Sequence, residues 1–216
     1  MPTGSPTCLT DPGALVVADT SVVINLNATG RAREIIRAFP NRLVVVDIIP
    51  AELADGRLRG RQDADRLNEL VTAGLVEIVS FGELAAPHFE DLVIGPAATT
   101  LDDGEAATIA YAVCQQGIAV IDERKATRIC AQRFPELRIG STVDILAHPG
   151  VQHGLGKEVL ADAVFSALYH GRMRVFPHHI EWVVALIGTD RTAACNSLPN
   201  SVRLPALKVP TRSSTR

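Results

Sequence analysis

Apolar residues fall into two rhythms along this chain. Short apolar runs occur at residues 15–18, 43–46 and 118–121 without a break, and at 75–79 and 137–139 with one charged residue in each, Glu77 and Arg138. They are rich in Val, Ile and Leu, as expected of strands buried on both faces of a parallel sheet. Between them apolar positions recur every three or four residues. Ala32, Ile35, Ile36 and Phe39 form one such stripe, and Ala64, Leu67, Leu70 and Val71 form another. Residues 106–115 and 123–134 continue the helical rhythm, and residues 83–93 predict a helix around Pro87. Gly30, Gly74 and Gly117 interrupt the pattern, and Pro50 falls where a first helical turn tolerates it.

This alternation predicts an α/β fold, a three-layer α/β/α sandwich with a mainly parallel central sheet. The rhythm changes after Ser141. Residues 143–146, 159–168 and 180–187 carry helical spacing with no clear strand. The expected organisation is a flexible lead-in at 1–14 and an α/β domain at 15–146. A helical C-terminal extension follows at 147–190, and a mobile tail rich in Pro, Ser, Thr and Arg at 191–216. The extension has two apolar faces: Leu155, Val159, Ala163 and Val164, then Ile180, Val183, Val184 and Ile187. Each must be covered, by the chain's own sheet domain, by a second copy in a homodimer, or by a partner helix.

Composition narrows the function. The net charge is -3 and aromatics make up 4%. A strongly basic nucleic-acid binder and a base-stacking platform are both disfavoured. Carboxylates gathered at a metal site would count against the charge without repelling a nucleic acid once cations are bound. The four cysteines, Cys8, Cys114, Cys130 and Cys195, form no C-x-x-C pair and no zinc-finger spacing. No apolar stretch is long enough for a membrane span, and the first residues lack a signal-peptide pattern. A soluble protein in a reducing cytoplasm is expected.

Four acids stand at the junctions that matter. Asp19 and Asp122 each follow an expected buried strand directly, while Glu52 and Glu105 fall in the first turn of a helix. Each has a plain alternative. Asp19 and Asp122 could cap helices, Glu52 could complement a helix dipole, and Asp102 with Glu105 could form a capping box. Taken together they point elsewhere, because parallel strands bring all four junctions to one sheet edge. Carboxylates crowded there raise one another's pKa unless cations bind, and hard oxygen ligands favour Mg²⁺ or Mn²⁺.

The segments Val17-Ala18-Asp19-Thr20-Ser21, Pro50-Ala51-Glu52-Leu53, Leu101-Asp102-Asp103-Gly104-Glu105-Ala106 and Val120-Ile121-Asp122-Glu123-Arg124 resemble the PIN-domain family. The likeness covers roughly residues 15–146. It implies metal-dependent hydrolysis of single-stranded RNA, with catalytic acids at Asp19, Glu52, Glu105 and Asp122. Asp19, Glu105 and Asp122 would hold Mg²⁺ or Mn²⁺. Ser21, Asp102, Asp103 and Glu123 would stand beside them. Many bacterial relatives are VapC-like toxins held by a small antitoxin protein. A PIN-like module that binds nucleic acid or protein without cutting is the main alternative. A phosphoacceptor receiver fold fits less well, because Lys125 lies inside a helix. A dinucleotide-binding fold lacks its G-x-G-x-x-G after the first strand. His178 and His179 are expected as an exposed pair, and Arg172 and Arg174 as a solvated loop.

Overall fold

The computed structural model describes residues 7–204, the side chains of positions 58 and 59 excepted. Strands β1 (Val16–Ala18), β2 (Leu43–Val46), β3 (Glu77–Val79), β4 (Ile118–Val120) and β5 (Arg138–Gly140) form one sheet. Their order is β3-β2-β1-β4-β5, and every pairing is parallel. Helices α1 (Thr20–Ala28) and α2 (Ala32–Ala38) link β1 to β2. Next, α3 (Ile49–Asp55) and α4 (Asp63–Thr72) lead to β3, and α5 (Ala86–Val93) and α6 (Asp103–Cys114) lead to β4. Finally α7 (Arg124–Arg133) links β4 to β5.

Right-handed crossovers decide the layers. From β1 the chain steps outward through β2 to β3, with α1 to α4 on one face. It then crosses back to β4 and continues to β5, which puts α5 to α7 on the other. The expected α/β/α arrangement is therefore present. Helix α6 lies against β1, β2 and β4, whereas α1 packs on α2, α3 and α4. Adjacent strands β1 and β4 send their following helices to opposite faces. That is a topological switch point, where a crevice opens beyond the strands' carboxyl ends.

After β5 come α8 (Thr142–Leu146), α9 (Pro149–Leu155), α10 (Lys157–Tyr169), α11 (Ile180–Ile187), α12 (Thr189–Ala194) and α13 (Asn200–Arg203). Helix α9 packs on α2, α10 on α1, and α11 on α10. Leu160, Val164, Ala167, Leu168, Trp182, Val183 and Ile187 join Val22, Leu26 and Ile36 in one core. The Ser166 hydroxyl donates to the Ala28 carbonyl at 2.6 Å. The extension's apolar faces thus meet the sheet domain's own helices, although Val159 stays exposed.

Both ends of the described chain contribute buried residues. Leu9 is fully buried, and the Asn41 amide donates to the Asp11 carbonyl at 2.6 Å. Past Arg191, Thr192, Cys195 and Leu198 are buried, and α13 follows. Residues 7–14 and 191–204, expected as lead-in and tail, thus place buried side chains against the fold. Positions 1–6 and 205–216 lie outside the described residues.

Candidate active site

Asp19 sits at the carboxyl end of β1 and caps α1. Its Oδ2 accepts from the Ser21 N–H at 3.1 Å and from the Ser21 hydroxyl at 2.7 Å. Its own N–H donates to the Val120 carbonyl at 3.1 Å, which ties the end of β1 to β4. Capping and clustering therefore coexist in one residue. Asp122 lies just past β4 and caps nothing; Glu123 takes the cap position of α7 without a side-chain bond. The Asp122 carboxylate instead accepts from the Asn25 amide at 2.6 Å, from the Thr142 N–H at 2.8 Å, and from the Thr142 hydroxyl. Asn25 and Thr142 were not marked by the sequence motifs.

Glu52 lies in the first turn of α3 and accepts from the Thr20 hydroxyl. Its close approach to α6 requires a glycine there. A Cβ on residue 104 would stand 2.6 Å from Glu52 Oε1, inside contact distance. Glu105, the next residue, is half-buried. Asp102 caps α6 by position, but its side chain makes no capping bond. The capping box expected of this pair does not form, so capping does not account for it. Asp102 and Asp103 are exposed at the rim.

The four acids share one electrostatic neighbourhood centred on Asp19. Burial, then the charge of Asp19, then that of Asp102 push Glu105 up to about 7. Glu52 is raised by burial and by Asp19, against the Thr20 hydrogen bond. Asp19 is raised by burial and by Asp122, although its Ser21 hydrogen bonds oppose the shift. Burial also raises Asp122, and the Thr142 and Asn25 hydrogen bonds offset this in part. Among the described residues none of the four is ion-paired to Lys, Arg or His. Two buried carboxylates, Asp19 and Asp122, and two half-buried ones, Glu52 and Glu105, with no protein cation beside them offer the oxygen donors a hard divalent ion takes.

A family model described as PIN domain matches residues 15–188. The chain belongs to the PIN-domain family, a nuclease family. The match runs through α8 to α11, so those helices lie within the family's sequence span. No curated protein matches the chain. Among solved structures this PIN domain is similar to a crystal structure of VapBC2 from Rickettsia felis bound to a DNA fragment from their promoter. The identity is 15% and the TM-score 0.41, over 59% of this chain and 98% of that one. The family assignment rests on the sequence match. No helix among the described residues is long and apolar enough to cross a membrane.

Two neighbouring groups complete the PIN domain's surroundings. Arg174 pairs with Glu123 at 2.5 Å, which brings the loop after α10 to the rim of the cleft. Among the described residues, the group whose ligand atoms lie within 4.8 Å of one another is Asp144, His178 and His179, not the four acids. Asp144 Oδ2, however, already accepts from the Ser141 N–H at 2.9 Å and the Ser141 hydroxyl at 2.7 Å, and it pairs with His179 Nε2 at 3.0 Å. This group fastens the extension to the end of the sheet. His179 is fully buried, which corrects the expected exposed pair; only His178 is exposed.

Proposed function

We propose that this PIN domain hydrolyses phosphodiester bonds of single-stranded RNA with Mg²⁺ or Mn²⁺. What supports this reading is that the charge of Asp19 acts on Glu52 and Glu105 and that of Asp122 on Asp19, with none of the four ion-paired to a cation of the described residues. Asp19, Glu105 and Asp122 would hold the metal. A bound divalent ion supplies a lowered pKa for water and offsets charge on the phosphate. Ser21 fixes the Asp19 carboxylate, while Asn25 and Thr142 fix that of Asp122. Glu52, fixed by Thr20, would orient the attacking water and take its proton. The water oxygen bonds to phosphorus as the bond to the leaving ribose oxygen breaks.

The test is cleavage of a labelled single-stranded RNA by wild type and Asp19→Asn, with Mg²⁺, with Mn²⁺ and with EDTA. Wild type should cut only with metal, and the folded variant should not cut. Cleavage by the variant at the wild-type rate would sink the metal mechanism. No cleavage by folded wild type would favour a binding module that does not cut. The family resemblance also makes a small antitoxin protein the partner to seek, since relatives of that kind are held by one.

A further inference from the structure

We propose that Arg61, Arg66 and Arg172 line the track by which the phosphate backbone of a single-stranded RNA reaches the acidic cleft, with Arg174 at its inner end. Only the identity of the strand rests on the ribonuclease reading. Three adjoining cavities define the track, and Arg61 lines all of them. One touches Thr20 and Glu52, and another touches Ser21, Asp122 and Glu123. The third, about 680 Å³, leads outward past Arg66, His170 and Arg172. The two walls come from distant parts of the chain. Arg61 and Arg66 belong to the α3–α4 connection and α4, whereas Arg172 and Arg174 belong to the loop after α10.

The Arg172 loop is held in a conformation that arginine does not favour. Its φ is +54°, in the left-handed region. The preceding Gly171 has no room for a side chain: a Cβ would lie 2.7 Å from the Ala167 carbonyl oxygen and 2.8 Å from the Ala28 Cβ. The following Met173 is buried and donates its N–H to the Ala167 carbonyl at 3.0 Å. The backbone is fixed on both sides, and the exposed arginine between them faces the groove. Among the described residues Arg61 and Arg172 form no ion pair. Strained backbone that presents an unpaired cation beside a cleft belongs to binding sites more than to scaffolding. Guanidinium groups suit phosphate oxygens, because their donors form a planar fork.

The experiment uses the full chain carrying Asp19→Asn, so that a bound strand is not cut. The probe is a short fluorescein-labelled oligouridylate, followed by anisotropy across a KCl series. Arg61→Gln and Arg172→Gly should each weaken binding and flatten the log–log salt slope by about 0.7, and the double variant by about 1.4. Arg172→Gly also removes the strained side chain, so its melting temperature should not fall. Arg138→Gln, at the opposite edge of the sheet, should leave affinity and slope unchanged. Unchanged slopes in the track variants would overturn the proposal, as would equal loss from Arg138→Gln. Arginine-dependent binding of polyglutamate without binding of oligouridylate would assign the track to an acidic protein and also overturn it. Wild-type cleavage measured alongside separates the two claims. Arginine-dependent binding without cleavage keeps the track and removes the hydrolase; cleavage with arginine-independent binding does the reverse.

Discussion

Gly104 is where a single methyl group reaches the site. In an exposed helix, alanine for glycine gains about 0.5–1 kcal/mol. Here the added Cβ would collide with the Glu52 carboxylate, so Gly104→Ala should displace Glu52 while the chain stays folded. Cleavage should fall about 100-fold, the scale set by a misplacement near 1 Å. A rate assay beside a thermal melt checks this, and an unchanged rate would remove Glu52 from the chemistry. Thr142→Val removes the hydroxyl that holds Asp122 but keeps the backbone N–H. It should cost about 1–3 kcal/mol in a urea melt. The motifs brought all four acids to light, because each follows a buried run or opens a helix. Asn25 and Thr142 were harder to see. A buried Asn inside the apolar run of α1 is a signal, since such a group needs a partner, but the partner is 97 residues away. Thr142 follows β5 much as Asp122 follows β4, and only that position hinted at a role.

Strands β1, β2 and β4 were legible because they are buried throughout, which leaves unbroken apolar runs. Edge strand β3 is shorter than expected: Glu77 and Ile78 are exposed, so the pattern blurs there. The histidine pair misled for a different reason. Helical spacing says that neighbours do not share a face, and the short turn at 177–179 sends His179 inward and leaves His178 outside. Burial opposes ionisation of Asp144, but hydrogen bonds from His179 and Ser141 prevail and hold it below the usual value. A depressed carboxyl pKa contributes stability above the unfolded value, and that contribution is lost as pH falls through the folded one. His179→Phe should therefore destabilise the chain by about 3 kcal/mol at neutral pH, with a smaller loss in acid. Equal losses at pH 7 and pH 3 would contradict the hold of this hydrogen-bonded pair on the Asp144 carboxylate.

The extension and the sheet share one core, so the molecule should unfold as a unit. Removing everything after Leu146 uncovers Val22, Leu26 and Ile36, each contributing about 1.5–3 kcal/mol when buried. Such a fragment should aggregate or melt without cooperativity, and a soluble, cooperatively folding fragment would contradict the shared core. Composition concealed this unity, because the polar ends gave no hint that Leu9 and Leu198 are buried. The acids also set a pH dependence. Glu105 is raised from 4.5 to about 7, so protonation favours the folded state below the unfolded value. That stabilisation fades as pH rises through about 7 when no metal is present. Mg²⁺ should therefore raise the melting temperature more at pH 8 than at pH 5, and equal shifts would count against a shared site. The most direct measurement is calorimetric titration of Mn²⁺ into wild type, Asp19→Asn, Glu105→Gln, Asp122→Asn and Asp144→Asn. Wild type and Asp144→Asn should bind alike, and the other three should bind weakly or not at all. Mn²⁺ binding that survives Asp19→Asn but is lost in Asp144→Asn would place the metal elsewhere and contradict the account.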